Sequence, residues 1–192
     1  TPAAIGRGIT VAVPNKSVGA GQRAVADALL AATGKIEWLD DEALMDAVTA
    51  VSGSGPAYVF LLAEELARAG VEAGLPEALA TKLARETVAG SGELLHRSDL
   101  PPATLRQNVT SPGGTTAAGL RELERRGLRA AVAEAVEAAI APGYAARDAM
   151  RRLPAYARKE ILLHAARRLR GALARFARLG RSPDDNYHDA LA

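Results

Sequence analysis

The alternation of hydrophobic and polar residues predicts two short strands and a helix at the N-terminus of this 192-residue chain. GITVAV, Gly8 to Val13, is short, β-branched and followed by Pro14-Asn15, which is typical of a strand. A helical pattern begins at Ser17, and Gly34 is a suitable stop for it. Its apolar face comprises Val25, Ala28, Leu29 and Ala32. KIEWL, Lys35 to Leu39, predicts the second strand.

From residue 40 onward the pattern is helical, with interruptions at glycines and prolines. Asp40 or Asp41 can cap a helix that directs Leu44, Met45 and Val48 inward. Further helices are predicted to begin at Pro56, Pro76, Pro101-Pro102, Thr115 and Leu128. The predicted fold class is therefore mainly α, with one or two short N-terminal strands.

Composition narrows the kind of core and the kind of chemistry. Aromatic residues make up only 4% of the chain, so Ala, Leu and Val must fill the core, which favours close helix packing. The absence of cysteine excludes disulfides, thiolate metal sites and a cysteine nucleophile, and is compatible with a cytoplasmic location. No metal site and no membrane partner are expected, since the three histidines are far apart and no apolar run reaches ~18 residues.

The charge distribution sets the C-terminal part apart from the rest. Residues 151–181 contain ten Lys or Arg and one acidic residue, whereas residues 1–150 contain 14 basic and 18 acidic residues. We interpret 146–192 as a basic helical extension with a loose C-terminus. An amphipathic helix with arginines around an apolar stripe explains the basic run. A helix that binds nucleic acid or a membrane surface is the alternative, although aromatic residues for base stacking are nearly missing.

The segment TSPGGTT, Thr110 to Thr116, has the residues of an anion-binding loop. Pro112 fixes one φ angle, and Gly113 and Gly114 remove the side chains that would keep a ligand from the backbone. A helix that begins at Thr115 directs its free N–H groups and its positive end into that space. The segment therefore suits a carboxylate or a phosphate, and the alternative is a tight connection capped by Thr115.

Two long motifs resemble the C-terminal dimerisation domain of pyrroline-5-carboxylate reductases: DAVTAVSGSGPAYVFLLAEELARAGVEAGLP and NVTSPGGTTAAGLRELE. The resemblance extends from Thr1 to about Glu137. It implies an interlocking helical dimerisation domain and a homodimer or a higher oligomer of dimers. It also implies reduction of 1-pyrroline-5-carboxylate to L-proline, with NADPH or NADH as the hydride donor.

The resemblance further implies which residues bind the substrate. The loop backbone would receive the substrate carboxylate, and the Thr116 hydroxyl would lie near the imine nitrogen as the catalytic group. The substrate-binding residues so implied are Ser111, Gly113, Gly114, Thr115 and Thr116. Residues that could add to the wall of the site are Ser52, Ser54, Asn108 and Asp99. For Ser52 and Ser54 the alternative is a helix break, and for Asp99 it is a solvated acid.

Two features depart from that family's pattern. No G-x-G-x-x-G follows a strand, and GSGPAY has only two of the glycines and opens an apolar helix. We therefore expect a Rossmann domain outside this chain to hold NADPH or NADH, and the chain alone to be inactive. Residues 145–179 instead resemble the N-terminal helical segment of aldehyde dehydrogenases, without their catalytic residues.

The predicted organisation has three parts. Residues 1–39 are interpreted as the end of a nucleotide-binding half, 40–145 as the dimerisation and substrate-loop domain, and 146–192 as the extension. The opening TPA is interpreted as a cut end. The alternative function is a non-catalytic helical self-association module with a vestigial site.

Overall fold

A computed structural model describes residues 2–152 together with residues 154 and 156. The predicted extension beyond these positions lies outside the described residues. The strands are β1 (Gly8–Ala12) and β2 (Gly34–Trp38). The helices are α1 (Ala20–Leu30), α2 (Met45–Val48), α3 (Gly55–Glu72), α4 (Glu77–Arg97), α5 (Pro102–Asn108), α6 (Thr115–Arg125) and α7 (Leu128–Arg152). The predicted mainly α class with two short strands is confirmed.

The chain forms two compact units. Ser54–Glu137 is the second unit, and the first contains residues 2–53 with the described residues from Ala138 onward. The predicted boundaries at residues 39 and 145 stay predictions.

The first unit contains a β-α-β arrangement. β1 and β2 pair in parallel from Gly8 opposite Gly34 to Ala12 opposite Trp38, and α1 is part of the crossover that parallel strands require. Gly34 has φ +135°, and a Cβ placed on it would lie 2.0 Å from the Gly8 carbonyl oxygen. The first residue pair of the sheet therefore needs glycine at position 34.

A polar contact joins α1 to the end of β2. The indole Nε1 of Trp38 donates a hydrogen bond of 2.8 Å to Asp27 Oδ1, and the Arg23 guanidinium lies 5.0 Å from the indole ring centroid. The indole N–H is thus satisfied while one ring face carries a cation–π contact. This contact fixes the chain where β2 ends.

The path from α2 to α3 is helical throughout most of its length. Thr49–Gly53 forms a π-helical turn, in which Ser52 Oγ donates to the Val48 carbonyl at 2.8 Å. Ser54 keeps right-handed helical angles, and α3 starts at Gly55 with Pro56 in its first turn. Gly53 therefore ends the π-helical turn and Gly55 begins α3, with no extended segment between them.

The prediction that Leu44, just before α2, faces inward is wrong. Leu44 is 49% exposed, whereas Met45 and Val48 are half-buried. Leu44 ends a short 3₁₀ turn, Glu42–Leu44, which Asp41 caps by accepting from the Ala43 amide at 2.9 Å. Because a 3₁₀ turn has three residues per turn instead of 3.6, Leu44 does not share the direction that an α-helical pattern assigns to it.

In the second unit, α3 and α4 pack against each other across a four-residue connection. α3 ends in a Schellman motif: Gly74 has φ +99°, its N–H donates to the Val71 carbonyl, and Leu75 N–H donates to the Gly70 carbonyl. A Cβ on Gly70 would lie 3.1 Å from the Cβ of Ala80. The two helices therefore approach closely where both residues are small.

The core of the described residues is small. Their fully buried apolar side chains are Ala50, Ala80 and Ala84. Of the Ala, Leu and Val predicted to fill the core, only alanines are buried among the described residues, because most of the large apolar side chains of α3 and α4 are exposed by 36–60%. They include Tyr58, Val59, Phe60, Leu61, Leu62, Leu66, Leu79, Leu83, Leu94 and Leu95. Large apolar side chains exposed in this number are typical of a surface that associates with another.

Candidate functional site

The glycine-rich segment between α5 and α6 contains a tight turn. Gly114 N–H donates to the Ser111 carbonyl at 3.1 Å, which closes a four-residue β-turn. Pro112 is its second residue, and Gly113, with φ +72°, is its third. Proline followed by a residue with positive φ is the signature of a type II turn. The type II turn thus explains why proline and glycine occupy positions 112 and 113.

The start of the loop is held by the end of α5. The Thr110 amide donates to the Gln107 carbonyl at 2.9 Å, and Thr110 Oγ1 donates to the Arg106 carbonyl at 2.6 Å. Carbonyls at a helix C-terminus lack partners within the helix, so Thr110 satisfies part of that need. Its hydroxyl proton is therefore used within the loop.

The end of the loop presents the first amides of α6. Gly114 is the N-cap residue, with an extended backbone and no side-chain cap, and its carbonyl accepts from Ala118 N–H at 3.1 Å. The amides of Thr115, Thr116 and Ala117 have no acceptor among the described residues. The predicted cap at Thr115 is wrong, because Gly114 is the N-cap residue and Thr115 is the first helical residue, whereas the tight connection of that alternative is present as the turn. Three N–H groups are available to an external acceptor.

The surroundings of these amides are open and favour negative charge. Gly113, Thr115 and Thr116 are exposed, and a Cβ on Gly113 would meet nothing within 4 Å. A Cβ on Gly114 would lie 3.3 Å from the Ser111 carbonyl oxygen, so a side chain has less room at Gly114 than at Gly113. The first turn of α6 contains no acidic residue. The positive end of the helix dipole is therefore not neutralised by its own first turn.

The other predicted site residues are distributed along the chain. Asn108 is the exposed last residue of α5, next to the loop, and Asp99 is exposed in the connection before α5. Ser54 precedes α3 in the second unit, whereas Ser52 belongs to the first unit and its hydroxyl donates to Val48. For all four residues a role toward the substrate stays a prediction.

An ion-pair cluster links the two helices that flank the loop. Glu124 Oε1 in α6 lies 2.6 Å from an Arg129 nitrogen at the start of α7 and 3.9 Å from an Arg106 nitrogen in α5. The hydrogen bond from Arg129 and the charges of Arg129 and Arg106 lower the pKa of the Glu124 carboxyl. We call these three residues the Glu124 cluster. Arg106 and Glu124 lie in different helices on either side of the loop. The spacing of residues within one helix therefore does not predict their contact.

Two kinds of feature are missing from the part of the chain that the structure describes. Its helices do not combine the length and the apolarity that crossing a membrane requires. Over the same residues, no three His, Cys, Asp or Glu side chains come together as a metal-binding group.

The structure thus defines a mainly α protein with uncovered apolar helices and a loop that presents free amides. The family described as "Pyrroline-5-carboxylate reductase dimerisation" matches residues 42–144, more than half of the chain. The chain therefore belongs to the pyrroline-5-carboxylate reductase dimerisation family.

Relatives and solved structures agree with this assignment. The chain is 52% identical over 139 residues to pyrroline-5-carboxylate reductase of Synechocystis, covering 72% of this chain and 52% of the relative. It resembles the Coxiella burnetii reductase structure with a TM-score of 0.71, 35% identity and coverage of 74% and 53%. For the Plasmodium falciparum reductase with NADP bound, the TM-score is 0.66, the identity 39% and the coverage 75% and 59%. The chain spans about half the length of the curated relatives it matches.

Proposed function

We propose that this chain is the dimerisation and substrate-loop part of an enzyme that reduces 1-pyrroline-5-carboxylate to L-proline, a step of proline biosynthesis. Its similarity to proteins named pyrroline-5-carboxylate reductase supports the reaction. The observation that carries the role of this chain is the open row of amides at the start of α6, behind a type II turn.

The substrate carboxylate binds at these amides in our proposal. A carboxylate accepts several N–H hydrogen bonds at once, and bonds to a charged acceptor are about twice as strong as neutral ones. Ser111, Gly113 and Gly114 shape the approach, and the amides of Thr115 and Thr116 donate. Because Gly113 and Gly114 lack side chains, a small ring can lie directly against the backbone.

Thr116 orients the ring nitrogen. Its hydroxyl oxygen accepts a hydrogen bond from the ring N–H once the imine nitrogen is protonated, the form in which the adjacent carbon accepts hydride readily. The hydride that converts the ring to L-proline would be supplied by NADPH or NADH. The described residues contain no glycine-rich strand-to-helix turn that would suit the pyrophosphate. We place the cofactor on a nucleotide-binding domain outside this chain, of which residues 1–39 are the end.

The apolar surface of α3 and α4 is covered by a second copy of the chain. Leucines exposed by 44–55% on both helices would bury area against an identical surface, as in obligate homodimers. The family description refers to dimerisation, and we extend it to an interlocking homodimer, on which higher oligomers can build. The site then forms from this loop and the nucleotide domain of the other subunit. We place the enzyme in the cytoplasm.

The test removes one amide without disturbing α6. Proline is favoured at the first helical position, and the extended backbone of Gly114, with φ −74° and ψ 174°, accepts a following proline. We fuse the chain to the half of the Synechocystis relative that it does not match and measure imine-dependent NADPH oxidation. Thr115→Pro is expected to raise KM for the imine by about 10- to 100-fold, since it deletes one bond to a charged acceptor.

Two controls separate the amide from other effects. Thr115→Ala keeps the N–H and is expected to retain the KM, and Ala20→Pro places proline at the first position of α1, also after an extended glycine. An unchanged KM in Thr115→Pro contradicts the carboxylate role. A stable dimer that shows no imine reduction and no stabilisation by proline favours the alternative of a self-association module with a vestigial site.

A further inference from the structure

The Glu124 cluster sits where it can set the geometry of the loop. Arg106 contacts both sides of the loop: its carbonyl accepts the Thr110 hydroxyl at 2.6 Å, and its guanidinium lies 3.9 Å from Glu124. Thr110 lies two residues beyond the end of α5, and Glu124 belongs to the helix that follows the loop. A single arginine thus connects the start of the loop with the helix whose amides form its end.

The link between α5 and α6 is unusual within the described second unit. Glu122 of α6 pairs with Arg125 and Arg126, which lie three and four residues along the same chain segment. Among the described residues, Arg106–Glu124 is the ion pair that joins α5 to α6. The same Glu124 oxygen also contacts Arg129, so the carboxylate ties α6 to α5 and to the first turn of α7.

We infer that Glu124 and Arg106 are positioning residues, which fix the direction of α6 relative to α5 and thereby aim the amides of Thr115, Thr116 and Ala117. The inference rests on the proposed function for its link to substrate binding. Neither residue contacts the substrate. Removing either side chain lowers the fraction of time in which the amides point at the substrate carboxylate. Hydride transfer to the ring is unchanged.

A pair of glutamates provides the matched test. Glu124→Gln removes the charge that joins three helices, whereas Glu122→Gln removes a charge with two arginine partners from the same helix segment. In the fused enzyme, Glu124→Gln is expected to raise KM for the imine about threefold with kcat unchanged, the scale of a partly exposed ion pair. Glu122→Gln is expected to leave both constants within error. Equal KM values for the two variants overturn the inference.

A cycle of substitutions assigns the effect to the contact with Arg106. Arg106→Gln is expected to raise KM about as much as Glu124→Gln, and the double variant no further. Arg106→Lys keeps the charge and is expected to restore most of the affinity. Additive effects in the double variant contradict a shared contact.

A measurement on the chain without substrate separates this inference from the proposed function. Residual dipolar couplings of the backbone amides of α5 and α6 give the angle between the two helices. A change in that angle in Glu124→Gln and not in Glu122→Gln supports positioning even when the fused protein reduces no imine. The same angle in both variants, alongside normal imine reduction, rejects positioning and leaves the proposed function intact.

Discussion

At the scale of single residues, Gly113 and Gly119 differ in the backbone conformation that they adopt. Gly113 has φ +72° inside the type II turn, whereas Gly119 lies within α6. A Cβ would meet nothing within 4 Å at either position. Backbone conformation, not space within the chain, therefore distinguishes them.

The first prediction follows from this difference. Gly113→Ala is expected to destabilise the protein by about 1–2 kcal/mol, because an L side chain is disfavoured at positive φ. Gly119→Ala is expected to stabilise it by about 0.5–1 kcal/mol through its helix propensity. Urea unfolding at one fixed protein concentration measures both. A stabilised Gly113→Ala would contradict the turn geometry.

At the scale of elements, exposed ion pairs follow the helices closely. Arg68 in α3 contacts Glu65 and Glu72, which lie three and four residues away. The hydrogen bond from Arg68, together with its charge, lowers the pKa of the Glu65 carboxyl below its ordinary 4.5. The carboxylate therefore stabilises α3 above pH 4.5, and this contribution disappears as the pH falls through the lowered pKa.

The prediction for α3 is a change in pH dependence. Arg68→Gln is expected to lower Tm slightly at pH 6 and by less at pH 3, because the Glu65 carboxylate loses its charge as the pH falls through its lowered pKa. Lys82→Gln in α4 is the control, since Lys82 has no ion pair among the described residues. Thermal unfolding monitored by circular dichroism at both pH values gives the comparison. A loss that is equal at pH 3 and pH 6 would show that the charge of the glutamates is not involved.

At the scale of the whole molecule, the second unit cannot cover its own apolar helices. Its fully buried side chains are alanines, and Leu62 and Leu66 of α3 are exposed by 51% and 44%. A domain with so little buried area is stabilised weakly on its own. Self-association is thus expected to contribute to folding as well as to the site.

The prediction for assembly compares two substitutions that each replace an exposed apolar side chain with glutamate. Leu62→Glu is expected to weaken dimerisation by at least about tenfold, because a buried unpaired carboxylate is costly. Val25→Glu, at a 60% exposed position of α1 in the first unit, is expected to leave dimerisation unchanged. Analytical ultracentrifugation over a range of concentrations measures both. A wild-type chain that remains monomeric would contradict the proposal.

Much of the fold and of the loop was predictable because the determinants are local. Both strands, the cap at Asp41 and the helix starts at Pro56, Thr115 and Leu128 follow from residue types within a few positions. Leu44 and the Arg106–Glu124 contact were not predictable in this way. The first depends on a 3₁₀ turn, and the second joins residues on opposite sides of a loop.

The sequence by itself determined the mainly α class and the glycine-rich turn, because periodicity, capping and φ preferences act over one or two helical turns. The family followed from the resemblance of two long motifs. Only the tertiary structure decided which apolar residues are buried and that Arg106 meets Glu124 across the loop. These properties depend on which groups meet in space. The local preferences of two segments do not determine whether a third segment packs over them and buries their side chains.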